Sequence, residues 1–242
     1  MNLYRIIPPP SETLTLSTSE GREKVWELLR PPRRSWVRAI MVTTSGGETV
    51  GTDGTTNSLT RGSDRALLAL LRDHSDAVVV GAKTIKAEPI PLPVSTPLVI
   101  MTRSGNLSGH QLRQRGNDTE RLIIATTKAS VDTLALTAGD LRYEVLVVDP
   151  DEDAEQLELA IAQHVGGNSL LVEGGTEIWK FFAPIIDEVL ISVAPPPRES
   201  NEGVPPWWPG GHDHWQLSAL MTDDSQMLYY SHRTGIRGVP SA

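Results

Sequence analysis

The chain contains no cysteine. Disulfides, thiolate nucleophiles and cysteine-ligated zinc are excluded before any motif is read. It also lacks an excess of positive charge: 22 Lys and Arg stand against 30 Asp and Glu, a net charge of −8. A general nucleic-acid binder needs a basic face, so nucleic acid is not an expected partner. No apolar run approaches the ~20 residues of a membrane span. Met1–Pro10 has no signal-type apolar stretch and meets three prolines early. The expectation is a cytoplasmic protein with no membrane attachment.

What is present suffices for a core. Of 242 residues, 39% are hydrophobic and 21% charged, the balance of a folded chain. Residues 1–19, rich in Pro, Ser and Thr, read as an arm. Together with a short helix they make up residues 1–33. No composition break divides the rest, so 34–235 reads as one globular α/β domain.

Ser17 and Glu20 stand at capping-box spacing ahead of Val25, Trp26, Leu28 and Leu29, which predicts a helix over Glu20–Leu29. Pro31 and Pro32 end it. Trp36–Thr43 reads as a buried strand, and Thr44–Thr60, crowded with Gly, Thr, Ser and Asn, as a long loop of the kind that often carries function. Ser63–Arg72 reads as a helix with Ala66, Leu67, Leu70 and Leu71 inward. Strands follow at Ala77–Val80, Leu98–Met101, Arg121–Ala125, Val145–Val148, Ser169–Val172 and Glu188–Val193. Helices are read at Ala82–Ala87, Asp151–His164 and Thr176–Phe182. After a Pro/Gly/Trp loop over 194–211, Trp215–Met221 and Gln226–His232 alternate as a hairpin around Asp223 and Asp224. The inner strands are apolar runs, which predicts a mostly parallel central sheet with helices on both faces and the C-terminal hairpin as an antiparallel edge.

In open α/β sheets ligands bind beyond the carboxyl ends of the strands. Two strand-to-helix junctions there carry glycine: Val80-Gly81-Ala82-Lys83-Thr84 and Val172-Glu173-Gly174-Gly175-Thr176-Glu177. Glycine lets backbone approach a ligand, and helix starts offer free N–H groups to phosphate. One such junction is ordinary turn chemistry; two of similar form can grip the halves of a dinucleotide. Neither is a G-x-G-x-x-G or a P-loop, and no G-x-S-x-G is present. A third strand ends Met101-Thr102-Arg103-Ser104, a guanidinium between two hydroxyls that suits a terminal phosphate. His212 and His214 flank Asp213 without an obvious third ligand, so no metal is expected. Trp207 and Trp208 stand among prolines as a lid or a partner-facing patch.

The run Asp76-Ala77-Val78-Val79-Val80-Gly81-Ala82-Lys83-Thr84-Ile85-Lys86-Ala87-Glu88-Pro89 resembles a family signature, as does Leu171-Val172-Glu173-Gly174-Gly175 followed by Ile186-Asp187-Glu188-Val189-Leu190. The family is the reductase domain of the bifunctional riboflavin-biosynthesis deaminase-reductase, with a dihydrofolate-reductase-like fold, and the resemblance covers roughly residues 34–235. It implies an NADPH-dependent oxidoreductase that reduces a ring-opened ribosylamino pyrimidine phosphate, and a homodimer. By position it assigns NADPH to Val42, Gly81, Thr84, Glu173, Gly174, Gly175, Thr176 and Glu177, with Thr102, Arg103 and Ser104 on its 2′-phosphate. Ala39–Val42 would line the nicotinamide. Arg72, Thr84, Glu88, Glu173 and Ser45 fall at the substrate, with Glu88 and Glu173 as candidate catalytic carboxyls and no choice made between them. The Gly174–Gly175 peptide is implied to be cis, a costly arrangement that tends to sit at functional sites.

The chain departs from that pattern. Where the family's first strand runs into Ser-Leu-Asp-Gly, this sequence has Thr43-Thr44-Ser45-Gly46. The family's lysine maps onto Ala39, its loop tryptophan near Ser58 or Leu59, and its aspartate onto Glu88; its downstream arginine has no counterpart within Glu88–Pro97. This sequence has no cysteine for the deaminase half's zinc, so that half is not expected within it. Two other readings therefore stand beside the first. One is a reductase of the same fold acting on a pteridine such as dihydrofolate; the other is a non-catalytic NADP-binding relative.

Overall fold

A computed structural model describes residues 2–60, 62–116, 119–194, 215–223 and 225–234. The Trp207–Trp208 and His212–His214 features, and most of the loop read over 194–211, lie outside these. The chain divides into two compact units, Met1–Leu71 with Ile185–Ala242, and Arg72–Pro184.

The Arg72–Pro184 unit carries five parallel strands in the order β8-β4-β5-β6-β7: β4 (Ala77–Gly81), β5 (Leu98–Met101), β6 (Leu122–Thr127), β7 (Glu144–Val148) and β8 (Ser169–Glu173). All of β4 is buried. That is why its sequence is an unbroken apolar run, since a strand covered on both faces has no position to give to solvent. Helices α3 (Ala82–Ala87), α4 (Val131–Thr137) and α5 (Ala154–Val165) connect these strands, and α6 (Thr176–Phe182) follows β8. The sequence gives no periodic stripe for α4, because Leu134 is its one buried residue and Leu136 is 86% exposed. Helix α5 starts three residues later than the acidic run predicts. The Asp153 side chain caps Gln156 N–H and the Gln156 side chain returns to Asp153 N–H, a full capping box.

The other unit holds six strands in the order β2-β1-β10-β11-β9-β3: β1 (Asn2–Ile7), β2 (Glu12–Thr15), β3 (Trp36–Thr44), β9 (Glu188–Ala194), β10 (Trp215–Thr222) and β11 (Met227–Arg233). Strand β3 runs parallel to β9, and the remaining pairs are antiparallel. Two expectations are corrected here. The segment read as an arm forms β1 and β2, with Leu3 and Leu14 buried; its prolines fill the turn between them, at Pro8–Pro10. The C-terminal hairpin is antiparallel as predicted but is not an edge, because β1 pairs with β10 and β9 with β11.

Helix α1 (Ser19–Leu29) is capped one residue later than the Ser17 spacing predicts: Gly21 N–H donates to Thr18 Oγ1 at 3.1 Å. Gly21 is required by close approach, since a Cβ there would lie 2.1 Å from the Thr15 carbonyl oxygen. Helix α2 (Asp64–Asp73) buries Leu67, Leu70 and Leu71 as its spacing predicts. Beneath α1, Arg38 is buried against the fully buried Glu188, donates to the Leu29 carbonyl, and lies over the Trp26 ring. Tyr230 Oη donates to the same carboxylate at 2.6 Å.

Candidate active site

Strands β8, β4 and β5 are neighbours, in register at Ala77↔Leu170, Val79↔Val172 and Gly81↔Met101. Their carboxyl ends therefore share one rim, and they deliver Glu173-Gly174, Gly81 and Thr102-Arg103-Ser104 to it side by side. The two glycine turns are in contact range. Gly174 has φ +114°, and a Cβ on it would lie 2.9 Å from Thr84 Oγ1 and 4.0 Å from Gly81 N. Gly175 caps α6 with no side chain at the helix start, and a Cβ there would meet nothing within 4 Å. Gly81 serves packing as well, because its Cβ would meet Ile178 of α6 at 2.9 Å. The Gly174–Gly175 peptide is not cis, which corrects that expectation; the positive φ of Gly174 makes the turn instead.

Arg72 and Glu173 lie together in this unit. Arg72 Nε donates to Glu173 Oε1 at 2.7 Å and its Nη2 to Oε2 at 2.5 Å, a two-point bridge. Burial works against the charge on Arg72, and the adjoining carboxylate outweighs it, so its pKa stands above the ordinary arginine value. Glu88, buried at the end of α3, donates its backbone N–H to the Thr84 carbonyl. Thr102 is buried, with its N–H on the Ala125 carbonyl at 3.0 Å, while Arg103 and Ser104 are exposed. Ser104 Oγ accepts from Asn106 N–H, and Ser130 Oγ donates to the Arg103 carbonyl at 2.7 Å. The Arg103 guanidinium makes no ion pair among the described residues. Thr176 is half-buried and Glu177 exposed at the start of α6. The rim thus offers backbone free of side chains, hydroxyls and the exposed Arg103 guanidinium, a set suited to a phosphate-bearing ligand.

Val42 and Ser45 belong to the other unit. Val42 is buried with Leu59 and Ala194 at the end of β3, and Ser45 is half-buried in the turn closed by Thr44 N–H on the Glu48 carbonyl at 2.9 Å. Ala39 is buried within β3. In this unit the sequence reading missed a buried acid: Asp64 Oδ1 accepts a short hydrogen bond from Ser192 Oγ, and Ser192 is the register partner of Val42. An acid in a first helical turn is the common cap residue, so nothing in the sequence distinguishes Asp64 until β9 is seen beside it. Among the described residues no group of three or more His, Asp or Glu is placed to hold a metal ion, and no helix is long and apolar enough to cross a membrane.

Solved structures share this architecture. The chain is similar to a pyrimidine reductase-like protein of Corynebacterium diphtheriae, with TM-score 0.62 and 16% identity over 84% of this chain and 93% of that one. It is similar also to a diaminohydroxyphosphoribosylaminopyrimidine deaminase/5-amino-6-(5-phosphoribosylamino)uracil reductase of Thermotoga maritima, with TM-score 0.64 and 18% identity over 89% of this chain and 62% of that one. A riboflavin biosynthesis reductase of Saccharomyces cerevisiae gives TM-score 0.56 and 14% identity over 87% of this chain and 100% of that one. The RibD C-terminal domain model matches residues 35–196, and the chain belongs to that family. No curated protein matches the chain.

Proposed function

We propose that the chain is an NADPH-dependent oxidoreductase that reduces a ring-opened ribosylamino pyrimidine phosphate, the reaction class named for the Thermotoga maritima relative. The observation that carries this reading is the rim of the Arg72–Pro184 unit, where two glycine turns meet beside the Arg72–Glu173 bridge. The residues fit the cofactor. Gly81, Thr84 and Gly174–Glu177 would hold its diphosphate, since open space stands at Gly175. Thr102, the exposed Arg103 and Ser104 would hold the 2′-phosphate that separates NADPH from NADH. NADPH supplies the hydride when bound. The chain's part is to orient the ring, exclude water and place Glu88 and Glu173 at the substrate. On the same reading the protein is a cytoplasmic homodimer.

Titration followed by nicotinamide fluorescence tests the cofactor: NADPH binds at least about tenfold tighter than NADH, and Arg103→Ala removes the preference. Binding of neither overturns the reading. NADPH oxidation with the ribosylamino pyrimidine identifies the substrate; oxidation with a pteridine alone, or binding without turnover, replaces it with the corresponding alternative.

A further inference from the structure

Helix α1 lies ahead of the residues 35–196 that the family model matches. Little apolar surface docks it: its buried residues are Gly21, Val25 and Leu29. Its own ion pairs, Lys24 with Glu12 and Glu20 and Arg30 with Glu23, are exposed, and pairs of that kind hold weakly. The last turn carries no basic residue, and the C-cap Arg30 is extended, with φ −64° and ψ 126°. The final carbonyls of a helix have no partner within it.

The Leu29 carbonyl finds its partner on another element, because the Arg38 guanidinium of β3 donates to it. The same group stands 5.6 Å from the centre of the Trp26 ring, one turn back along α1. A cation is attracted both by the negative end of a helix and by an indole face. Arg38 is itself held from the sheet side. Its register partner on β9 is the fully buried Glu188, and the two side chains form an ion pair through Arg38 Nε and Glu188 Oε1. Tyr230 Oη donates to the other oxygen, Glu188 Oε2, at 2.6 Å. Burial pulls the Arg38 pKa down to about 10, which leaves the group a cation at neutral pH.

We propose that α1 is a strap latched onto the sheet by Arg38: it opens as a unit when the Leu29 carbonyl and the Trp26 ring leave the guanidinium, while Arg38 stays paired with Glu188 and β3 with β9. The two sides of the latch are held by different means. Strands β3 and β9 are joined along their length, from Arg38↔Glu188 to Thr44↔Ala194. The strap is held by two apolar side chains and one cation. Elements with few buried apolar contacts are the ones that open locally below the cost of global unfolding. Nothing in this device depends on the reductase reading.

Native-state hydrogen exchange of the full chain, read by mass spectrometry in urea too dilute to unfold it, tests the latch. In the wild type the α1 amides are expected to be at least about tenfold less protected than those of β3 and β9, at a level that dilute urea does not change. Trp26→Leu leaves the ion pair in place; it lowers α1 protection about tenfold further and keeps β3 and β9 within about threefold of wild type. Arg38→Met alone strands the Glu188 carboxylate and endangers the fold, so it is combined with Glu188→Gln. The double variant lowers α1 protection about 100-fold. Wild-type α1 amides protected as well as those of β3, with the urea dependence of global unfolding, overturn the proposal, because strap and sheet then open only together. Unchanged α1 protection in Trp26→Leu overturns it as well, and that variant decides where the double one does not fold.

Discussion

Gly174 and Gly175 are adjacent and do different things. Gly174 sits at φ +114° with 2.9 Å between its virtual Cβ and Thr84 Oγ1. An L side chain is strained there whatever binds, so Gly174→Ala is expected to cost about 1–3 kcal/mol in a urea unfolding series. Gly175 has ordinary φ and nothing within 4 Å of its virtual Cβ. Gly175→Ala should change stability by less than about 1 kcal/mol yet weaken NADPH binding by about tenfold, because the added methyl occupies the approach of the phosphates. Equal NADPH affinity in Gly175→Ala and wild type would remove that glycine from the cofactor site. Composition cannot make this distinction: both residues read as flexible turn, and the backbone angle alone separates them.

At the scale of elements, Asp223 ties the residues before α2 to the turn between β10 and β11. Its Oδ2 accepts from Ser63 N–H at 2.5 Å and its Oδ1 from Ser225 Oγ at 2.6 Å and Ser225 N–H at 3.1 Å. Burial works against the charge, but the hydrogen bonds from Ser225 and Ser63 outweigh it and hold the pKa below the ordinary aspartate value. A depressed carboxyl pKa stabilises the fold fully above the unfolded value, and the contribution is lost as pH falls through the folded one. Asp223→Asn, which cannot accept at both oxygens, is expected to be less stable than wild type by about 1 kcal/mol at neutral pH. The gap should close in acid, and urea midpoints across a pH series would show it; a gap independent of pH would mean that the carboxylate charge plays no part. Position 223 reads in the sequence as a plain turn residue. Its partner Ser63 lies 160 residues away, a pairing that no local pattern carries.

For the whole molecule, what the sequence discloses follows burial. The parallel strands β4, β5 and β8 and the helices α3 and α6 were legible nearly to the residue, because strands buried on both faces must be apolar and glycine marks where they turn. The rim of the Arg72–Pro184 unit was legible for the same reason, and the Arg72–Glu173 bridge was not, because 101 residues separate its partners. Half-exposed elements were lost: α4 with one buried side chain, and β1 with β2, where Leu3 and Leu14 are fully buried among polar residues and prolines. That N-terminal hairpin bears on the stability of its whole unit. Strand β1 pairs with β10 at Tyr4↔Thr222 and Arg5↔Met221, so its removal leaves β10 with an open edge. A deletion of residues 2–15 would also forfeit the burial of two leucines, about 3–6 kcal/mol at the usual value per side chain. An arm would be trimmed without consequence; this segment should not be. The shortened chain is expected to melt well below wild type and to aggregate through the exposed strand edge, and equal melting temperatures with monodisperse scattering would show that β1 and β2 contribute nothing to the fold.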